Sequence, residues 1–180
     1  MAKKAVLILS IAAVAAIGIA LGFGRAPWAA WAASASAAVE IHYAPAEDLE
    51  RIDVGLIDAA GESIDMTAYV LTDRPVIEAL AEAAARGVKV RIWRDGSTVG
   101  YGDPGAIAAL TAAGAEARVK PGPELMHLKS YCVDGSLLRS GAANFSAAGE
   151  KRQDNDLIVV RGAGSCVGFA ANFERLWNGR

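Results

Sequence analysis

The sequence predicts one α/β domain: a mixed β-sheet with helices on both faces. Three observations carry that prediction. From Val39 onward, apolar runs of strand length alternate with segments of helical period. Gly or Pro punctuates most of the junctions between them. The 180-residue chain has no internal repeat of motif size, so the alternation describes one layered domain and not an array.

The elements follow in order. AVEIHYAP is a short strand closed by Pro45, and Ala46 to Ala60 carries Leu49, Ile52, Leu56 and Ile57 at helical spacing before Gly61. SIDMTAYV is a strand rich in β-branched and aromatic residues. Thr72 or Asp73 caps the next helix, with Pro75 in its first turn and Val76, Ile77, Leu80 and Ala84 as its buried stripe. Gly87 ends it and VKVRIW alternates as a strand. Asp95 to Asp103 is a Gly-rich loop without phosphate-loop or dinucleotide spacing, and reads as a plain connection. Pro104 to Ala113 is a helix and Ala115 to Val119 a short strand. LKSYCV and LLRS form a hairpin around Asp134-Gly135; Leu157 to Val160 is a strand and Ser165 to Trp177 a closing helix.

Residues 1–38 stand apart. Lys3 and Lys4 precede an uncharged apolar run over residues 5–23, and Ala35-Ser36-Ala37 offers a small-residue cleavage site. That is the pattern of an export signal. The alternative is a retained N-terminal membrane anchor, since 19 apolar residues suffice to span a bilayer and Arg25, Trp28 and Trp31 suit its interface. Either reading places the domain 39–180 outside the cytoplasm, periplasmic, secreted or membrane-anchored. Without the leader the chain keeps 15 basic against 20 acidic residues, so bulk charge gives no signature of a nucleic-acid-binding domain. Cys132 and Cys166 are the only cysteines; Cys132 alternates within an apolar strand and is expected to pack as a small hydrophobe, although export permits pairing.

One polar set interrupts the apolar pattern. His127 and Lys129 stand two residues apart at the start of a strand, and so share one face. The DG hairpin then returns the chain, bringing Asn144 beside them. An imidazole, an ammonium and a carboxamide together handle phosphate: Lys and Asn donate to nonbridging oxygens, and a neutral imidazole attacks phosphorus or moves a proton. The other histidine, His42, has no Lys or Asn at this spacing and reads as an ordinary strand residue.

His127-x-Lys129-x4-Asp134 followed by Gly141-x-x-Asn144 resembles the HKD motif of the phospholipase D superfamily. The likeness extends over residues 39–180, through EIHYAP, SIDMTAYVLTD, ARGVKVRIWRD and ANFERLWN, and is to the small exported bacterial endonucleases that carry a single HKD copy. Two departures stand out. The hydroxyl common in that family's second block is absent at Ala142, for which Ser140 or Ser146 would have to compensate. Asn155 stands where near relatives carry a Glu that orients the motif histidine, and neighbouring Asp156 faces away from it if its segment is a strand. Asp134, at the Asp-Gly turn, reads as structural, supporting the site as Gly141 does.

The resemblance implies a metal-independent phosphodiesterase without a cofactor, in which one histidine attacks phosphorus and a second protonates the leaving oxygen. One motif per chain then implies a homodimer with the active site at the two-fold interface. The leading expectation is a nuclease on DNA or RNA, with Arg91, Arg94, Lys120, Lys151 and Arg152 available as a basic lining. The alternatives are a phospholipase D acting on membrane phospholipids and an impaired site that binds phosphodiesters without turnover.

Overall fold

The computed structural model describes residues 37–179, and the leader reading for residues 1–36 lies outside them. Seven strands form one sheet: β1 (Ala38–Ala44), β2 (Ser63–Ala68), β3 (Lys89–Arg94), β4 (Glu116–Val119), β5 (Lys129–Val133), β6 (Leu137–Gly141) and β7 (Asn155–Arg161). Their spatial order is β1-β7-β6-β5-β2-β3-β4. β2, β3 and β4 are parallel, joined by helical crossovers; the remaining pairings are antiparallel. The expected mixed sheet is therefore the observed one. Among the described residues no helix is long and apolar enough to cross a membrane.

The helices are α1 (Leu49–Asp58), α2 (Arg74–Ala85), α3 (Pro104–Ala112), α4 (Ala147–Lys151) and α5 (Val167–Trp177). Side chains of Asp48, Asp73 and Asp103 cap α1, α2 and α3 by accepting from backbone N–H groups of the first turn. Asp48, not Ala46, thus sets where α1 starts. α4 has only five residues and no apolar period to betray it in the sequence.

Strand alternation assigns the two faces. Ile64, Met66, Val90, Ile92, Tyr131, Val133, Leu157 and Val159 pack with Leu49, Leu56, Ile57, Val76, Leu80 and Leu110 of α1, α2 and α3 in the main core. Trp93, on the other face of β3, packs with Met126 and with Phe173 and Trp177 of α5 in a second, smaller core. That second face is covered only in part: Val39, Ile41 and Tyr43 of β1 stay exposed on it.

Cys132 and Cys166 are joined in a disulfide, with 5.9 Å between their Cα atoms. This corrects the expectation that Cys132 merely packs. Cys132 does lie among buried strand residues, but on the α5 side of β5, where the residue preceding α5 meets it. The bond ties the strand that begins with Lys129 to the closing helix.

Candidate active site

The site lies along one edge of the sheet, where β2 and β3 end and β5 begins. Antiparallel pairing sets Ala68 opposite Lys129, and parallel pairing sets the same Ala68 opposite Arg94. The chain enters β5 through Met126 and His127. The Met126 N–H donates to Asp95, the residue after β3, whose other carboxylate oxygen accepts the Ser97 N–H at 2.8 Å. Burial acts to raise the Asp95 pKa, but the hydrogen bonds to Ser97 and Met126 outweigh it and hold the group below the usual range. Asp95 therefore fixes the backbone immediately before His127.

His127 is exposed, and its ring centroid lies 4.4 Å from that of Tyr69, which follows β2. Lys129 Nζ donates to the His127 carbonyl at 2.8 Å and lies 3.2 and 3.4 Å from Nδ1 and Nε2 of the ring. The lone pair of a neutral imidazole lies in the ring plane on one nitrogen only, so the ammonium serves at most one of the two. The same ammonium lies 5.0 Å from the Tyr69 centroid. Lys129 is 7% exposed, and burial, followed by the charge of Arg139, lowers its pKa. A partly desolvated cation held beside an imidazole is equipped to bind a phosphodiester.

Asn144 follows β6 in a loop set by backbone contacts. Gly141 has φ 143°, and a Cβ there would meet the Asp156 carbonyl oxygen at 2.4 Å, so only glycine fits. Asp156 holds the loop twice, with its carboxylate accepting from the Ala142 N–H at 2.9 Å and its carbonyl from Ala142 and Ala143. Its side chain thus serves the loop that leads to Asn144. Asn144 Oδ1 is enclosed without a hydrogen-bond partner among the described residues. An enclosed acceptor does not meet a phosphate oxygen, itself an acceptor, so contact from Asn144 to a phosphodiester falls to the donors on Nδ2.

A buried arginine binds these two segments together. Arg139 of β6 donates through Nη1 to the Lys129 carbonyl at 2.9 Å and the Ala143 carbonyl at 3.3 Å. Its remaining nitrogens take Asp53 of α1 at 2.9 and 2.7 Å and Glu150 of α4 at 3.3 Å. Tyr131 Oη donates to the same Asp53 at 2.8 Å. All four of these side chains are buried. Burial works against the Arg139 charge, but Asp53 and Glu150 outweigh it and raise its pKa. Glu150 is pushed up to about 9, by burial first and then by the Asp53 charge. One guanidinium thus faces two carboxylates, and Glu150 holds a proton.

The other residues singled out in the sequence take less direct places. Asp134, at φ 50°, accepts the N–H groups of Gly61, Glu62 and Ser63 at 2.8–2.9 Å, pinning the start of β2 far from His127 along β5. Burial would raise its pKa, yet those three donors bring it below the usual value. Ser140 Oγ lies 3.0 Å from Ser130 Oγ, on the sheet face opposite Lys129, and Ser146 Oγ accepts from Gly149 N to cap α4. Both hydroxyls thus have a partner within the fold. Asn155 donates to the Gly149 carbonyl at 2.9 Å, so it orients α4 and not His127. His42 pairs with Glu47 at 2.7 Å, away from this set. Of the expected basic lining, Arg91 is claimed by Asp65 and Glu174, and Lys151 by Glu50. Lys120 Nζ donates to the Pro121 and Glu124 carbonyls.

Tyr69, Asp95 and Arg139 were not singled out as site residues. For Arg139 the signal was present: a charge at an inward position of LLRS, matched by Asp53 between Leu49 and Leu56 of an apolar helix stripe. Tyr69 and Asp95 reach His127 only through strand pairing, which the sequence does not register.

The model of a family described as cardiolipin synthase, PLD-like domain, matches residues 54–177. A phospholipase D of Rickettsia bellii is 30% identical over 131 residues, covering 73% of this chain and 65% of its own. A mitochondrial cardiolipin hydrolase of Drosophila melanogaster is 29% identical over 141 residues, covering 67% and 55%. The chain thus spans about three fifths of the length of these curated relatives. The crystal structure of Nuc from Salmonella typhimurium, a phospholipase D family member, superposes with a TM-score of 0.72 at 26% identity, covering 79% of this chain and 95% of that one.

Proposed function

The chain belongs to the PLD-like phosphodiesterase superfamily, and on that premise we propose that it is a metal-independent nuclease cleaving DNA or RNA through His127. The observation that carries this reading is the group of three: an exposed imidazole against a desolvated ammonium, tied through Arg139 to the loop that carries the Asn144 carboxamide. In the proposed reaction a His127 ring nitrogen attacks phosphorus, forming an N–P bond while the P–O bond to the leaving group breaks. A second imidazole gives its proton to that oxygen. It then removes a proton from water, which attacks phosphorus and returns His127 to its free form. Lys129 and Asn144 bind the nonbridging oxygens and stabilise the charge that gathers there.

The second imidazole is proposed to be His127 of another copy. Two observations support a homodimer. His127 is exposed in the single chain. Val39, Ile41 and Tyr43, with the half-buried Leu138, Ile158 and Val160 beside them, also form an apolar sheet face that no described helix covers. Export of the domain is proposed from the leader pattern alone.

A second reading, hydrolysis of membrane phospholipids, draws on Leu125 and Leu128, which flank His127 and are 57% and 41% exposed. Full-length chain and a His127→Ala variant, assayed in EDTA on single-stranded DNA, duplex DNA, RNA and phospholipid vesicles, separate the two readings. Cleavage of nucleic acid that requires His127 is the expected result. Headgroup release without nucleic-acid cleavage would replace it with the lipid reading.

A further inference from the structure

Arg94, the last residue of β3, carries a charge for which the described residues supply no partner. It is 5% exposed, and among the described residues it makes no side-chain hydrogen bond and no ion pair. The neighbouring carboxylate, Asp95, is already engaged by Ser97 and Met126. Burial alone lowers the Arg94 pKa; no anion offsets it. Holding a guanidinium this way is costly unless something anionic completes it, because its five donors and its charge both lose water.

Its place in the sheet says what completes it. Ala68 is paired with Lys129 on one side and Arg94 on the other, so both cations project from the same face with only a buried methyl group between them. Two strand spacings separate their Cα atoms, about 10 Å, a gap that two long side chains can close onto neighbouring anions. A lone phosphodiester carries one negative charge, which Lys129 meets. A second buried cation in line with it calls for a second phosphate.

We infer that Arg94 binds the phosphate next to the scissile one, which makes the substrate a polynucleotide whose backbone runs across β5, β2 and β3. The inference rests on the phosphodiesterase reading and deepens it. Lys129 holds the reacting phosphate and Arg94 its neighbour, one nucleotide along the strand.

The test compares two ligands in full-length His127→Ala protein, so that neither is turned over. Thymidylyl-thymidine carries one phosphodiester; its 5′-phosphorylated form adds a phosphate one nucleotide away. By calorimetry the phosphorylated form is expected to bind about tenfold more tightly, the worth of a charge-assisted contact. Arg94→Gln abolishes that ratio without changing affinity for the unphosphorylated form, and Arg94→Lys retains part of it. Equal binding of the two ligands, or a ratio that survives Arg94→Gln, overturns the inference. So does an Arg94-dependent preference for cardiolipin over phosphatidylglycerol vesicles with the two dinucleotides bound alike. Should Arg94→Gln fail to fold, the Arg94→Lys ratio decides, an unchanged or absent preference counting against. Failure of the phosphodiesterase reading would appear elsewhere, as no turnover by the wild-type chain, and leaves this ratio readable.

Discussion

Arg139 donates to the backbone carbonyl of Lys129 at 2.9 Å, and the same nitrogen reaches the Ala143 carbonyl next to Asn144. A wholly buried cation therefore holds both halves of the site in register. Arg139→Met leaves Asp53 and Glu150 enclosed without their partner and is expected to cost about 3–5 kcal/mol in denaturant unfolding. Adding Asp53→Asn and Glu150→Gln removes the orphaned Asp53 charge and the carboxyl that shares its site, and restores most of that stability. The triple variant should still lose at least about tenfold in kcat, because the shared donor to Lys129 and Ala143 stays absent. A stable triple variant with full kcat would confine Arg139 to a structural role.

Glu150 gives the fold a pH dependence of defined sign. Its folded pKa, about 9, lies above the ordinary 4.5, so the folded chain holds a proton that the unfolded chain releases. This contribution to stability is complete below the unfolded value and is lost as pH rises toward the folded one. Asp73, pushed up to about 6, acts in the same direction at lower pH. Thermal melts between pH 6.5 and 9 should therefore show the wild-type midpoint falling. Glu150→Gln keeps the neutral shape and should flatten the curve; an equal slope in both proteins would exclude Glu150 as its source.

Asp134 anchors backbone and not substrate. Asp134→Ala removes the acceptor of three N–H groups at the start of β2 and places a Cβ-bearing residue without a polar side chain at φ 50°. The expected loss is about 2–4 kcal/mol of stability. Folded protein should keep kcat within about twofold at low temperature. A collapse of kcat with an unchanged melting point would move Asp134 into the chemistry.

The disulfide closes a separation of 34 residues, and chain entropy assigns such a loop about 3–4 kcal/mol. Replacing Cys132 and Cys166 together by Ser should lower the melting midpoint by about 10 °C, and dithiothreitol should do the same to the wild-type chain. No shift in either experiment would remove the bond from the account of stability.

What the sequence made legible was local. A strand period places His127 and Lys129 on one face, the Asp-Gly turn returns the chain toward Asn144, and capping aspartates mark the helices; each signal lies within about twenty residues. What stayed hidden depends on pairing between distant segments. Ala68 must lie between Lys129 and Arg94 before either cation's neighbours can be named. Cys132 looks like any inward strand residue until α5 brings Cys166 to it. The resemblance sets Asn155 where an orienting acid is expected, yet its amide goes to the Gly149 carbonyl because α4, too short for a periodic signal, packs there. Arg91 reads as an available cation until Asp65 and Glu174 converge on it from separate elements.

The central claim is that His127 itself forms a bond to phosphorus. Single turnovers of the full-length chain on an internally 32P-labelled oligonucleotide, in EDTA and quenched in alkaline detergent, test it most directly. The account predicts protein-bound label that is stable to alkali, released by acid, mapped to His127 and absent from His127→Ala. Label on another residue, or undiminished cleavage by His127→Ala, would contradict it.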